Sequence, residues 1–244
     1  RELSPLLHLD CKTVTGRTLG EEIEAASTWP QNIVKSIHAP VNPEGGIAVL
    51  TGNLAPDSAI IKQSAATPEL LVHEGRAVVF DSLDDMAERI DDPNLDVRKE
   101  DILVLRNAGP KGAPGMPESG YIPIPKKLAA AGVKDMVRIS DARMSGTAFG
   151  TIVLHICPES AVGGPLSLVR DGDRIRLDVS TRQLDLLVDE QILEERRLLW
   201  KAPVFPVGSK RGYLWLHLEH VEQAHQGCDL DFLKPATVGS TTPK

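Results

Sequence analysis

The sequence is poor in cysteine and has no long apolar run. Its three cysteines, Cys11, Cys157 and Cys228, lie far apart in the 244 residues and form no Cys-x-x-Cys pair. This spacing argues against a disulfide framework and against a complete cysteine-bound metal site, so we expect a reducing, cytoplasmic location. No apolar stretch reaches the roughly 18 residues that a membrane-spanning helix needs, and we expect no membrane partner.

Positive charge is also scarce. The chain has 27 basic and 34 acidic residues, for a net charge of -7, and the basic residues are scattered along it. Because a nucleic-acid-binding surface needs a basic patch or stripe, we expect no nucleic-acid partner. The length suits one large domain or two small ones. The first residue is arginine where a complete chain has methionine, which favours a fragment or a processed chain.

Three common catalytic or binding motifs are missing. The spacing of Gly109, Gly112 and Gly115 is not the dinucleotide fingerprint, and the sequence has no Gly-Lys-Ser/Thr phosphate loop, which disfavours nucleotide binding. The Gly-x-Ser-x-Gly elbow of hydrolases is absent around Ser145, since Arg143 stands where its first glycine belongs. A serine hydrolase is therefore disfavoured, and it would require a histidine within about 3 Å of Ser145.

Three histidines, His217, His220 and His225, fall in one predicted helix. The first two share a helix face, and Glu219 and Glu222 are near enough in sequence to complete a metal site with them. The His-Glu-x-x-His signature is absent, however. We favour ordinary polar and packing roles for these histidines and keep the metal site as the alternative.

The chain contains many short apolar segments separated by turn residues. The predicted strands are residues 47–50, 59–61, 77–80, 102–105, 136–139, 151–154, 166–169, 174–179 and 183–188, and the predicted helices are 19–26, 82–90, 125–131, 189–200 and 213–226. Closely spaced strands with few helices between them indicate an α+β protein with a β-barrel core and flanking helices, and not a doubly wound sheet.

The same pattern predicts three regions. Residues 1–40 form an N-terminal linker with a short helix, and residues 41–188 form the β-barrel domain with the active-site loops. Residues 189–244 form C-terminal helices, followed by a loose tail from residue 237.

Two loops rich in glycine or proline follow apolar strands and carry the candidate site residues. The first, Arg106–Glu118, leaves the apolar run 102–105, and the second, Ser140–Thr147, leaves the run 136–139. Loops in such positions present reactive side chains on a rigid scaffold. Glu118 is either a ligand for a hard cation or a solvated acid. Ser145 is either a turn former or a reactive hydroxyl, and reactivity needs a metal, a cation or a base to lower its pKa.

Two neighbours of Ser145 also have alternative roles. Asp141 is a candidate site residue or the cap of a local turn, and Arg143 is a candidate site residue or the partner of a surface acid.

Five segments, taken together and in this order, resemble the dihydroxy-acid dehydratase and phosphogluconate dehydratase family. The similarity covers nearly the whole chain, and its ending looks more like the sugar-acid branch than the branched-chain amino-acid branch. The five segments are Gly52–Asp57, Asn107–Pro110, Gly115–Glu118, Ser140–Gly146 and Gly163–Pro165, and the ending comprises Arg211–Trp215 and Gly227–Phe232.

The resemblance implies that this chain is a C-terminal half. Members of the family are about twice as long, and their N-terminal domain carries the iron–sulfur cysteines and most of the magnesium ligands. The C-terminal half of the family is a β-barrel similar to the swivelling domain of aconitase-like dehydratases. We therefore expect a missing N-terminal domain as a partner, an apolar surface exposed by its removal, a fragment that is inactive alone, and a homo-oligomer, either dimer or tetramer.

The resemblance also implies the site roles. Ser145 corresponds to the catalytic base that takes the C2 proton of a 2,3-dihydroxy sugar acid, and Thr147 to an assisting hydroxyl. Glu118 corresponds to a Mg²⁺ ligand. A [2Fe-2S] cluster held by the absent half would assist loss of the C3 hydroxyl, giving a 2-keto-3-deoxy acid. The competing hypothesis is a non-catalytic β-barrel binding module whose loop hydroxyls are idle.

Overall fold

A computed structural model describes residues 1–118, 120–146, 148–205 and 210–234. The chain divides into two compact units, Arg1–Gly45 and Gly46–Lys244. In the first unit, helix α1 (Leu19–Ala25) begins with a capping box, in which the Thr18 side chain accepts from the Glu21 N–H and the Glu21 carboxylate accepts from the Thr18 N–H. Capping matters here because so short a helix is marginal without it.

The second unit contains a closed barrel of eight strands in the order β1-β2-β6-β5-β4-β3-β7-β8. Strands β3, β4, β5 and β6 are successive parallel neighbours, whereas β1–β2, β2–β6, β3–β7 and β7–β8 are antiparallel. The predicted α+β class with a β-barrel core is confirmed. The strands are β1 (Ala48–Gly52), β2 (Ala55–Ile61), β3 (Val72–Phe80), β4 (Ile102–Leu105), β5 (Arg138–Ser140), β6 (Ile152–Leu154), β7 (Arg174–Asp178) and β8 (Gln183–Leu186).

Among the described residues of the second unit, four helices flank the barrel: α2 (Leu83–Arg89), α3 (Lys126–Ala130), α4 (Glu190–Leu199) and α5 (Gly212–His220). Ser82 caps α2, as its sequence predicts, by accepting from the Asp85 N–H at 3.1 Å. Within the described ranges, no helix is both long enough and apolar enough to cross a membrane.

Strand β4 is apolar along its whole length because it contributes side chains to two hydrophobic cores. Ile102 and Val104 belong to the cluster that fills the barrel, while Leu103 and Leu105 belong to a second cluster that includes Met86 of α2. Because side chains alternate along a strand, β4 is buried on both faces. Each such side chain contributes about 1.5–3 kcal/mol on burial, so the strand is firmly held at the point where the first candidate loop begins.

Two secondary-structure predictions are wrong. Residues 166–169 are not a strand but part of a 3-10 helix, Pro165–Leu168. Pro165 has no N–H for a strand ladder and fits the first helical position, while Leu166 and Leu168 are apolar because they pack into the barrel core.

The predicted helix 213–226 is too long, because α5 ends at His220. After it, the Glu222 N–H donates to the Asp229 carbonyl at 2.9 Å, and Val221 pairs with Leu230. These contacts turn the chain back on itself and leave only a short 3-10 helix, Ala224–Gln226. The predicted loose tail 237–244 lies outside the described residues, and the predicted boundaries at residues 40 and 188 stay predictions.

Candidate functional site

The two candidate loops leave the same edge of the barrel. Strands β4 and β5 are parallel neighbours, and the last residue of each, Leu105 and Ser140, are paired. The carboxyl ends of parallel strands are where ligands bind in many mixed folds. We call residues 106–118 the glycine-rich loop and residues 140–146 the serine loop.

The buried carboxylate of Asp141 ties the two loops together. Its side chain accepts from the Ala108 N–H at 2.9 Å and from the Ser160 N–H at 2.8 Å, and the residue is 1% exposed. Burial raises the pKa of Asp141, and the hydrogen bonds from Ser160 and Ala108 oppose that rise. Asp141 is therefore neither a turn cap nor an exposed group. It fixes the start of the glycine-rich loop to the serine loop.

A second buried carboxylate, Glu159, holds the middle of the glycine-rich loop. It accepts from the Lys111 N–H at 3.0 Å, from the Gly112 N–H at 2.9 Å and from Gln223 Nε2 at 2.7 Å. Burial raises the pKa of Glu159. A Cβ at Gly109 would lie 2.6 Å from Glu159 Oε2, so the close approach requires glycine there.

An ion pair connects Glu118 to the serine loop. Arg143 Nη1 lies 3.1 Å from Glu118 Oε1, and Arg143 Nε donates to the Met116 carbonyl at 2.6 Å. The Glu118 side chain is 56% exposed. An exposed pair of this kind contributes only about 0–1 kcal/mol, so a metal cation can displace the guanidinium at little cost. Of the two sequence alternatives for Arg143, the structure shows a pair with an acid, and that acid belongs to the candidate site.

Ser145 lies two residues beyond Arg143 in the serine loop and is half-buried. Its carbonyl accepts from the Ala148 N–H at 3.2 Å, which folds the chain into a turn around it. The structure thus brings Glu118 and the Ser145 loop into contact through Arg143. The predicted assisting hydroxyl, Thr147, lies outside the described residues.

The side chain of His155 contacts the serine loop. Its Nε2 accepts from the Met144 N–H at 2.8 Å. Burial, and then the charge of Arg143, lower the pKa of His155. Because the nitrogen that faces the loop already accepts a hydrogen bond, this histidine is poorly placed to be a base for the neighbouring serine.

The histidines of α5 contact separate groups. His217 Nε2 lies 3.0 Å from the Pro110 carbonyl oxygen, so it packs on the glycine-rich loop, while His220 Nδ1 lies 2.8 Å from Asp231. In the part of the chain that the structure describes, no group of three or more His, Cys, Asp or Glu side chains is close enough to hold a metal ion. These contacts favour the polar and packing roles over a histidine metal site.

Comparison with known proteins identifies the protein family. Residues 32–228 match the family described as Dihydroxy-acid/6-phosphogluconate dehydratase C-terminal. The chain belongs to this family, as its motifs predicted.

Individual relatives of the chain are named as dehydratases. The chain is 52% identical to a putative dehydratase, IlvD1, of Rhizobium meliloti, over 93% of this chain and 39% of that protein. It is 50% identical to an L-arabinonate dehydratase of Rhizobium leguminosarum bv. trifolii, over 94% of this chain and 39% of the relative. A dihydroxy-acid dehydratase of Acetivibrio thermocellus is 43% identical to the chain, over 95% of this chain and 41% of the relative. The chain therefore spans about two-fifths of the length of the curated relatives it matches.

Proposed function

We propose that this chain is the C-terminal part of a hydro-lyase that removes water from a 2,3-dihydroxy sugar acid and forms a 2-keto-3-deoxy acid. Two relatives whose names specify a sugar acid, an L-arabinonate dehydratase and a 6-deoxy-6-sulfo-D-gluconate dehydratase, are 50% and 48% identical to it. The dihydroxy-acid dehydratase of Acetivibrio thermocellus is 43% identical. The observation that carries the proposal is the contact between the Glu118 and Ser145 loops at one barrel edge.

In this proposal Ser145, as its alkoxide, removes the C2 proton of the substrate, and Thr147 assists it. The C2 proton is weakly acidic, because its loss places further negative charge next to a carboxylate. Positive groups close to that carboxylate are therefore needed to stabilise the developing charge. Loss of the C3 hydroxyl then leaves an enol, which becomes the 2-keto acid.

Glu118 fits one part of a magnesium site. Its carboxylate is exposed and supplies the hard oxygen that Mg²⁺ prefers, and Mg²⁺ commonly uses one or two protein carboxylates together with water and substrate oxygens. Because the described residues hold no set of three candidate ligands, we assign the other ligands to the missing N-terminal domain. The bound ion would polarise the substrate carboxylate and C2 hydroxyl.

Two of the three cysteines of this chain, Cys157 and Cys228, do not fit an iron–sulfur cluster. Cys157 is buried, and burial raises the pKa of its thiol to about 11, while Cys228 Sγ lies 3.4 Å from Met116 Sδ. Cluster ligands are thiolates grouped around the metal. We therefore assign the [2Fe-2S] cluster to the N-terminal domain and derive no step through it.

Exposed aromatic side chains near the loops support a missing partner domain. Tyr121 and Phe149, which follow the glycine-rich loop and the serine loop respectively, are 62% and 70% exposed. Apolar surface of this kind beside a candidate site suits burial by another domain. The alternative of a non-catalytic binding module is less well supported, because it does not account for the contact between Glu118 and the serine loop.

Comparing the chain with the full-length protein tests the proposal. The chain alone, the N-terminal part alone, their mixture and the full-length protein are each incubated with L-arabonate, D-gluconate and a branched-chain dihydroxy acid. We expect 2-keto acid only when both parts are present, and faster formation from a sugar acid. Failure of the metal-loaded full-length protein to form any 2-keto acid would favour the binding module, and turnover by the chain alone would contradict a site shared between two domains.

A further inference from the structure

Lys62 is placed against the serine loop by the fold. It follows β2 directly, and Ile61 at the end of β2 pairs with Val153 of β6. The segment after β2 bonds to the connection between β5 and β6, since the Gly150 N–H donates to the Ala65 carbonyl at 2.9 Å. The backbone position of Lys62 therefore does not depend on its own side chain.

The Lys62 ammonium reaches the residue next to Ser145. Its Nζ donates to the Gly146 carbonyl at 3.3 Å, and the side chain is half-buried. An ammonium has three N–H donors, so two remain for another acceptor. Across the described ranges, no carboxylate forms an ion pair with Lys62, although the chain carries an excess of acids. A half-buried cation in this position suits an anionic ligand.

The other charged groups near the serine loop already have partners. Arg143 pairs with Glu118, and behind the connection from β5 to β6 Arg138 pairs with Asp135 at 2.7 Å. The ring nitrogen Nε2 of His155 already accepts a hydrogen bond from the Met144 backbone N–H. In the described structure, Lys62 is thus the cation beside Ser145 that no protein acid neutralises.

We propose that Lys62 binds the carboxylate of the substrate beside Ser145. This inference rests on the proposed dehydration. When the C2–H bond breaks, the proton forms an O–H bond with the Ser145 alkoxide and the electron pair delocalises into the carboxylate. That electron pair then forms the C2=C3 double bond of the enol while the C3–O bond breaks and hydroxide leaves. An ammonium on the carboxylate stabilises the intermediate charge, and C2 is one bond from the carboxylate carbon, so the base and the carboxylate-binding group must be neighbours.

The test uses the full-length protein with Lys62→Met, Lys62→Arg and the control Lys134→Met, which removes an exposed lysine ahead of β5. Turnover of L-arabonate is measured together with inhibition by two unreactive compounds. One is 3-deoxy-L-arabonate, which keeps the carboxylate but lacks the leaving hydroxyl, and the other is the neutral alditol arabitol. We expect Lys62→Met to lower kcat/KM by about 100-fold and to weaken 3-deoxy-L-arabonate inhibition by at least about tenfold.

Arabitol inhibition and all constants of Lys134→Met should be unchanged, and Lys62→Arg should restore most of the acid binding. If Lys62→Met weakens both inhibitors equally, its role is only structural and the inference is wrong. If Lys62→Met does not fold, Lys62→Gln replaces it in the same comparison. If the unaltered protein forms 2-keto acid and Lys62→Met binds 3-deoxy-L-arabonate as tightly as the unaltered protein does, only this inference fails. If it forms none, the proposed function fails and the Lys62 assignment falls with it.

Discussion

The parallel and antiparallel parts of the barrel carry different kinds of connection. Parallel neighbours β4, β5 and β6 are joined by residues 106–137 and 141–151, whereas β7 and β8 are joined by the short turn 179–182. Parallel strands need a crossover long enough to return to the other end of the sheet, while antiparallel strands need only a turn. The candidate site residues Glu118 and Ser145 lie on these two crossovers.

The acids of the two parts also differ. Asp141 and Glu159, which hold the crossovers, are buried and accept backbone N–H groups. On the antiparallel strands, Glu74 pairs with Arg174 in a half-exposed ion pair. A long loop has no strand ladder to satisfy its backbone, so buried carboxylates take that role and give the loop one conformation.

Ser145→Ala should produce the largest effect. Removing a general base typically costs 10²–10⁴ in rate, and we expect kcat for 2-keto acid formation by the full-length protein to fall by about 10³-fold. Ser180→Ala, in the β7–β8 turn, is the matched control and should leave kcat unchanged. Equal turnover by Ser145→Ala and the unaltered protein would remove Ser145 from its assigned role.

Glu159→Ala should give the next largest effect. It leaves the part-buried Lys111 and Gly112 N–H groups without their acceptor, and we expect the free energy of unfolding to fall by about 3–4 kcal/mol. Glu74→Ala, which removes the exposed pair with Arg174, should cost less than about 1 kcal/mol. Urea denaturation of the two variants measures both values, and similar losses would show that the crossover loop does not depend on its buried acid.

Sequence patterns predicted the barrel, the loop positions and the family, because these depend on local periodicity and motif order. The roles of Asp141 and Glu159 were not predictable in this way. Glu159 lies far along the chain from Lys111 and Gly112, and only folding brings them together. A weak signal was present, since each acid stands among small or apolar residues at the end of a buried segment. Lys62 gave no signal, because a lysine after a strand usually marks a solvated end.

Two glycine substitutions should differ by a smaller amount in their loss of stability and activity. Gly109→Ala places a Cβ 2.6 Å from Glu159 Oε2, and displacing that buried carboxylate should cost about 2 kcal/mol and lower activity. Gly172→Ala, just before β7, meets nothing within 4 Å but must adopt φ +90°, which costs about 1 kcal/mol and should leave activity unchanged. Thermal denaturation and turnover together separate the two results. A Gly109→Ala protein with full activity would contradict tight packing of this loop.

The pH dependence of stability should differ in sign between Glu159, which holds the glycine-rich loop, and Asp178, the last residue of β7, with the smallest effects of the set. Burial raises the pKa of folded Glu159, so its contribution is fully present below its unfolded pKa of about 4.3 and is lost as pH rises through the folded pKa. The Ser180 hydrogen bond lowers the pKa of Asp178, whose contribution is present above its unfolded pKa of about 3.9 and is lost as pH falls.

Urea denaturation between pH 3 and pH 7 of Glu159→Gln, Asp178→Asn and the unaltered protein measures this contrast. With rising pH, the stability difference between the unaltered protein and Glu159→Gln should shrink, while the difference from Asp178→Asn should grow. If both stability differences change in the same direction with pH, Glu159 is as well solvated as Asp178. In that case packing, and not the desolvated carboxylate of Glu159, would fix the conformation of the glycine-rich loop.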